Sequence, residues 1–98
     1  MKKMAPLHPG EVLKEEFLIP LGISQNQLGR DLGVSPRRVN EVIHGKRSLT
    51  ADTALRLARH FGNSAGFWLG LQMDYDLEVA EDESAAKIKA EVRQLAVA

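Results

Sequence analysis

Four polar side chains recur at helical spacing near the middle of the chain, namely Arg37, Asn40, Glu41 and His44. On a helix of 100° per residue they share one arc. The opposite arc is apolar and contains Val39, Val42 and Ile43. Arginine can bond to guanine O6 and N7, asparagine to adenine N6 and N7, and glutamate can accept from cytosine N4. The polar arc therefore has the side-chain types that read base edges in a major groove.

Further polar and cationic residues flank this arc. Arg38 falls at its side, where a phosphate is as suitable a partner as a base. Gln25 lies near the start of the preceding helix, and Lys46 and Arg47 follow the arc. Contacts to backbone phosphates position a protein on DNA without specifying a sequence, and we expect these three residues to make them.

Capping residues predict two short helices that position these side chains. Ser24 opens a capping box, which predicts a helix over residues 25–32. Ser35 and Pro36 form an N-cap followed by proline at the first helical position, which predicts a second helix that ends at Gly45.

A three-residue turn, 33–35, joins the two predicted helices, and its glycine suits the left-handed residue that ends a helix. Gly29 is small where the helices must approach each other, and Leu28 and Leu32 point to the core. This arrangement predicts a helix-turn-helix over residues 24–45. Ordinary helix bundles also contain such pairs of helices, and a surface arginine pair is often only solvated.

Helical periodicity extends over the rest of the chain. A helix is predicted from near Pro9 to Ile19, stopped by Pro20 and Gly22, and others are predicted from Thr50 to Gly62 and after Ser64. A last amphipathic segment has apolar residues at positions 85, 88, 92 and 95. We therefore predict an all-α protein, with a compact five-helix DNA-binding domain over residues 1–80 and an additional C-terminal helix within 81–98.

Composition argues against several other classes of protein. A chain of 98 residues predicts one domain, and the absence of cysteine removes disulfides, thiolate catalysis and cysteine zinc sites. The three histidines lack the i, i+4 spacing of a helical zinc site. No Ser/His/Asp arrangement, phosphate-binding loop or dinucleotide fingerprint is present. We expect no enzymatic activity, cofactor or metal.

The chain has no apolar run of the length that a membrane span requires, and prolines follow its basic start, Met1 to Lys3. We expect a complete, cytoplasmic chain with no membrane partner.

Charge is unevenly distributed although its sum is zero, a balance that does not favour a strongly basic nucleic-acid binder. Residues 1–70 contain ten Lys and Arg against six Asp and Glu, whereas residues 71–98 contain three against seven. Six of those acids lie within residues 74–83. One half could meet phosphate and the other a basic protein, or both could be solvated faces.

Four motifs outside the polar arc carry a family resemblance. They are His8-Pro9-Gly10-Glu11, Gly45-Lys46-Arg47, the segment from Thr50 to Leu57, and the block from Phe67-Trp68-Leu69 to Tyr75-Asp76-Leu77. With them, residues 7–80 resemble the HigA/VapI-type antitoxins of the XRE-like, lambda-repressor-like superfamily. Gly66 and Gly70 stand where polar residues are commoner in such proteins.

The resemblance implies a homodimer that represses its own operon by binding a palindromic operator in double-stranded DNA. It also implies direct neutralisation of a HigB-like, RelE-type toxin that cleaves messenger RNA. Transferred by position, the family's DNA-binding face falls on Gln25, Ser35, Arg37, Arg38, Asn40, Glu41 and Lys46. Two alternatives stay open, a solitary XRE-type repressor without a toxin and a toxin-capture module with weak DNA binding.

Overall fold

Five helices make up the regular structure of residues 5–96, the part of the chain that the computed structural model describes. The first, α1, covers residues 9–21 in three consecutive parts, Pro9–Val12, Leu13–Leu18 and Ile19–Leu21. The others are α2 (Gln25–Leu32), α3 (Pro36–Ile43), α4 (Ala51–Phe61) and α5 (Ala65–Glu91). The predicted all-α, five-helix architecture is confirmed. Met1 to Lys3 and residues 97–98 of the predicted C-terminal segment lie outside the described residues.

The predicted capping residues begin four of these helices. The hydroxyl oxygens of Ser24, Ser35, Thr50 and Ser64 each accept a hydrogen bond from the backbone N–H three residues later, at 3.0–3.3 Å. Gly33, which ends α2, has a φ of 74°, a left-handed conformation that a side chain with a Cβ adopts only at a cost. Local sequence signals therefore decide where α2 to α5 begin.

Helix α1 runs two residues further than predicted. We expected Pro20 to stop it, because proline has no N–H to donate and collides with the carbonyl four residues earlier in a regular α-helix. Residues Leu13–Leu18 instead form wider, π-helical turns, and the N–H of Ile19 donates to the carbonyl of Lys14, five residues back. The wider turn accommodates Pro20, and the helix ends at Gly22.

Helix α5 contains the segment that we predicted as a separate C-terminal helix. It runs without a break through Glu91, so the predicted boundary after residue 80 falls inside a helix. Val92 and Leu95, expected on its apolar face, lie beyond the helix end and are exposed. Only the first turns of α5 are packed against the bundle, since Trp68 and Gln72 are its buried residues. The described residues consequently extend over 56 × 30 × 22 Å.

All five helices contribute side chains to the hydrophobic core, which includes Trp68, whose exposed fraction is 0%. Its indole N–H donates to Asn63 Oδ1 at 2.9 Å, so its single polar group is satisfied. The other buried apolar side chains are Leu13, Leu18, Leu28, Leu32, Val39, Val42, Ile43, Leu49, Ala54 and Leu57. As predicted, Leu28 and Leu32 of α2 and the apolar arc of α3 are in this core.

A buried amide fixes the loop between α3 and α4. Gln72 Oε1 on α5 accepts a hydrogen bond from the backbone N–H of Leu49 at 2.7 Å, and Gln72 Nε2 donates to Asp76 Oδ1 at 2.9 Å. Both polar atoms of this buried side chain are thus bonded, which avoids the cost of an unsatisfied group in the core.

The start of α1 packs against the end of α3. His8 Nδ1 accepts a hydrogen bond from the N–H of Gly10 at 2.9 Å, and the ring of His8 makes an edge contact with Tyr75 of α5, with centroids 4.8 Å apart. A Cβ at Gly10 would overlap the carbonyl oxygen of Val42. This backbone contact therefore requires glycine at position 10.

Stability should fall when His8 is protonated. Burial lowers the pKa of His8 from its ordinary value of 6.5, although Glu11 and Asp76 act in the opposite direction. Because the pKa of His8 is lower in the folded than in the unfolded state, its neutral form contributes to the free energy of unfolding. This contribution is fully present above about pH 6.5 and is lost as the pH falls through the lowered value. Thermal unfolding between pH 7.5 and 4.5 measures this loss. His8→Asn keeps a capping acceptor that does not titrate, so its melting temperature should depend less on pH. If the variant showed the same pH dependence as wild type, His8 would not be the group responsible.

The helices of residues 5–96 include none with the length and hydropathy that a membrane crossing requires.

Candidate nucleic-acid interface

The turn between α2 and α3 brings the two helices close together. The N–H of Val34 donates to the carbonyl of Gly29 at 2.9 Å. A Cβ at Gly29 would lie 3.0 Å from the carbonyl oxygen of Val34 and 3.2 Å from the nitrogen of Pro36. The prediction that Gly29 allows this close approach is confirmed.

Helix α3 has one buried face and one solvent-facing face. Val39, Val42 and Ile43 are buried in the core. Arg37, Asn40 and His44 are exposed, and the side chain of Arg37 has 86% of its surface accessible. Three of the four side chains of the predicted polar arc are therefore on the molecular surface, where they can enter a groove, and Glu41 is partly buried.

Asn40 and Gln25 connect the exposed face of α3 to the start of α2. Asn40 Nδ2 donates to Gln25 Oε1 at 3.0 Å. This bond uses one of the two polar atoms of each amide. His44 Nδ1 is 2.9 Å from the carbonyl oxygen of Asn40, which orients the ring at the end of the same face.

Arg38 is half-buried between α3 and α4. Its Nη2 donates to Thr53 Oγ1 at 2.6 Å and to Asp52 Oδ2 at 3.0 Å. The Nε of Arg38 is buried, with no hydrogen-bond partner among the described residues. The structure thus places Arg38 in contact with the first turn of α4.

Asp52 also pairs with an arginine on its own helix. Arg56 Nε donates to Asp52 Oδ2 at 2.9 Å, and Arg56 Nη1 donates to the carbonyl of Leu32 at the end of α2 at 2.9 Å. Hydrogen bonds from Arg56 and then from Arg38 hold the pKa of the Asp52 carboxyl below its ordinary value. This network joins α2, α3 and α4.

The sequence did not indicate that Asp52, Thr53 and Arg56 position the interface. Asp52 and Arg56 are separated by four residues at the start of a helix, which is the spacing of an intrahelical ion pair. That signal could have identified the pair. It could not have identified Arg38 as the shared partner.

The segment after α3 carries the remaining predicted residues. Lys46 and Arg47 are exposed, and their backbone N–H groups donate to the carbonyl of Glu41 at 2.8 and 3.2 Å. Glu41 Oε1 also accepts from Arg47 Nε at 3.1 Å and from Arg47 Nη2 at 2.9 Å. Ser35 is exposed at the start of α3, where its hydroxyl oxygen accepts from the N–H of Arg38.

The nine predicted site residues thus come from three neighbouring places: the start of α2, helix α3 and the turn after it. Six of them are exposed, and Gln25, Arg38 and Glu41 are partly buried. Arg38 is hydrogen-bonded to Asp52 and Thr53 of α4. Among residues 5–96, no group of three or more His, Asp or Glu side chains is arranged to hold a metal ion.

Comparison with known proteins identifies the family of this fold. A helix-turn-helix family matches residues 13–68. The chain is 51% identical over 81 residues to virulence-associated protein I of Dichelobacter nodosus, covering 83% of this chain and 75% of that protein. It is 43% identical over 75 residues to antitoxin HigA-1 of Vibrio cholerae, covering 76% and 70% respectively.

This chain belongs to the XRE-type helix-turn-helix family that contains the HigA antitoxins. Among solved structures, it resembles the Pseudomonas aeruginosa antitoxin HigA with the higBA promoter, with a TM-score of 0.89 and 42% identity over 93% of this chain and 99% of that one. The family consists of DNA-binding antitoxins and regulators and not of enzymes, in agreement with the sequence. The resemblance drawn from the motifs is confirmed.

Proposed function

We propose that this protein is a cytoplasmic antitoxin that binds operator DNA as a homodimer, represses its own operon and neutralises a HigB-like toxin by direct binding. One observation carries the DNA-binding part of the proposal. The exposed polar face of α3 is held by a helix-turn-helix in a chain 42% identical to a HigA antitoxin whose structure includes promoter DNA.

In the proposed complex, α3 lies in the major groove and its exposed face meets the base edges. Arg37 reads guanine and Asn40 reads adenine, with His44 next along the same face. Lys46 contributes its charge to phosphate binding. The ion pair of Arg38 with Asp52 supports a role in holding α3 against α4 rather than in reading a base.

Gln25 and Ser35 support contacts with the DNA backbone. Both lie at the beginning of a helix, α2 and α3 respectively. Helix N-termini favour phosphate because of their backbone N–H groups and dipole. In this proposal Gln25 has two roles, since its Oε1 also orients Asn40.

Exposed apolar side chains on α5 support the homodimer. Met73 and Leu77 are four residues apart on one side of the helix, with 61% and 56% of their surfaces accessible. Pairing with a second copy would remove this apolar surface from water. Two α3 helices related by a two-fold axis would then meet half-sites about 34 Å, or about 10 base pairs, apart, which requires a palindromic operator.

The acidic stretch 74–83 supports capture of a basic partner. Its six acidic side chains lie on the exposed part of α5, where they can attract a positively charged protein. A toxin that binds RNA would have a positively charged surface. A protein in which this stretch dominated, and DNA binding was weak, is the second candidate function.

Binding to DNA from the region upstream of the protein's own gene tests the proposal. We expect competitor-resistant binding, with protection of two half-sites about 10 base pairs apart. The control is unrelated DNA of equal length at two salt concentrations. Equal affinity for both DNAs would contradict autorepression by this protein alone and would favour the second candidate.

A neighbouring gene for a small basic protein that co-purifies with this chain would support the toxin partner. A chain that binds DNA without such a partner would be a solitary repressor.

A further inference from the structure

The carboxylate of Glu41 lies between two arginines of the candidate interface. Its Oε1 accepts from Arg47 Nε at 3.1 Å and from Arg47 Nη2 at 2.9 Å. Its Oε2 lies 3.8 Å from Arg37 Nε. The Glu41 side chain has only 25% of its surface accessible, less than either arginine. The Glu41 carboxylate thus already interacts with two arginines of the protein, on the face where we expected it to accept a hydrogen bond from cytosine.

The turn after α3 does not need this carboxylate. The backbone carbonyl of Glu41 accepts from the N–H groups of Lys46 and Arg47, and Gly45 has a φ of 70° that permits the turn. These are main-chain bonds, and the Glu41 carboxylate takes no part in them. The interactions of the carboxylate therefore restrain the arginine side chains and not the main chain.

We propose that Glu41 is a positioning residue that holds Arg47, restrains Arg37 and limits attraction to DNA of any sequence. Its negative charge offsets part of the positive charge that Arg37, Lys46 and Arg47 present to phosphates. Sequence-independent affinity rises with the number of phosphates that a protein neutralises. A base-specific bond depends instead on side-chain orientation. Glu41 thus increases the ratio of operator affinity to affinity for unrelated DNA.

This inference rests on the proposed DNA-binding function, and Glu41→Gln tests it. The variant keeps the side-chain length and the backbone carbonyl but removes the charge. We expect affinity for unrelated DNA to rise about fivefold to tenfold near 0.1 M salt, with a salt slope steeper by about one unit, as for one additional phosphate contact. We expect the ratio of operator affinity to unrelated-DNA affinity to fall by at least about threefold.

Glu16→Gln is the matched control, because Glu16 is an exposed acid on α1 and its loss changes net charge by the same amount. It should leave the salt slope and the affinity ratio unchanged. Arg47→Gln combined with Glu41→Gln should show a smaller effect of the second change, since Glu41 acts partly through Arg47. Thermal unfolding of each variant checks that folding is retained.

Three results would overturn the inference. If Glu41→Gln lowered operator affinity and left binding to unrelated DNA unchanged, Glu41 would contact a base directly. Equal effects of Glu41→Gln and Glu16→Gln would reduce its role to net charge. A parallel loss of both affinities together with a lower melting temperature would make it only structural. Failure of the proposed function would be seen separately, as wild-type protein that does not distinguish its upstream DNA from unrelated DNA.

Discussion

Gly10→Ala is expected to destabilise the protein by about 3 kcal/mol or more, at or above the upper end of ordinary overpacking. The added Cβ would overlap the carbonyl oxygen of Val42 and lie 2.8 Å from the Cα of Ile43. Both are backbone atoms, so no change of rotamer can relieve the contact. The start of α1 would have to move away from the end of α3. Thermal unfolding should show a melting temperature lower by about 12 °C or more.

Gly70→Ala is the matched control for this prediction. Gly70 lies inside α5, and a Cβ there would meet nothing within 4 Å. Alanine is favoured over glycine in a helix interior by up to about 1 kcal/mol, so the control should raise the melting temperature. Equal stabilities of Gly10→Ala and wild type would contradict the seating of α1 on α3. A lower stability of Gly70→Ala would contradict the open space around this position.

Arg37→Ala is expected to weaken operator binding by about 1 to 3 kcal/mol, or about 5- to 150-fold, and to relax discrimination at one base pair. The Arg37 side chain is almost fully accessible, with 86% of its surface exposed. Its removal should therefore leave stability within about 0.5 kcal/mol of wild type. Competition assays with operators that carry each single base change would identify the position that Arg37 reads.

Lys46→Ala is the control that separates base reading from phosphate binding. It should weaken binding to every sequence alike and flatten the salt slope by about one unit. If Arg37→Ala had this same profile, Arg37 would be a phosphate contact. If Lys46→Ala left the slope unchanged, Lys46 would have no role at the backbone.

Features that depend on neighbours in the chain were predictable from the sequence. The N-caps at Ser24 and Ser35, the left-handed Gly33 and the buried face of α3 follow from interactions within about one helical turn. The two-faced character of α3 follows from its period of about 3.6 residues. The location of the candidate interface was therefore predictable, as was the exposure of Arg37 and Asn40.

Local signals were insufficient where two of them competed. Proline at position 20 predicted a helix end, but the wider turns of residues 13–18 let α1 continue to Leu21. The apolar spacing at positions 85, 88, 92 and 95 predicted a separate C-terminal helix. No residue near position 81 interrupts the backbone hydrogen bonds, and α5 continues through Glu91.

The helix-turn-helix, its caps and turn, and the polar face of α3 were predictable from the sequence, because they depend on contacts between residues close in the chain. Tertiary structure decided which of the polar side chains have protein partners. Arg38 meets Asp52 across 14 residues of sequence, and Gln72 meets Leu49 across 23. Such pairs exist only after the core has placed α3, α4 and α5 relative to one another. Helical periodicity defines a face of one helix but not the element that faces it.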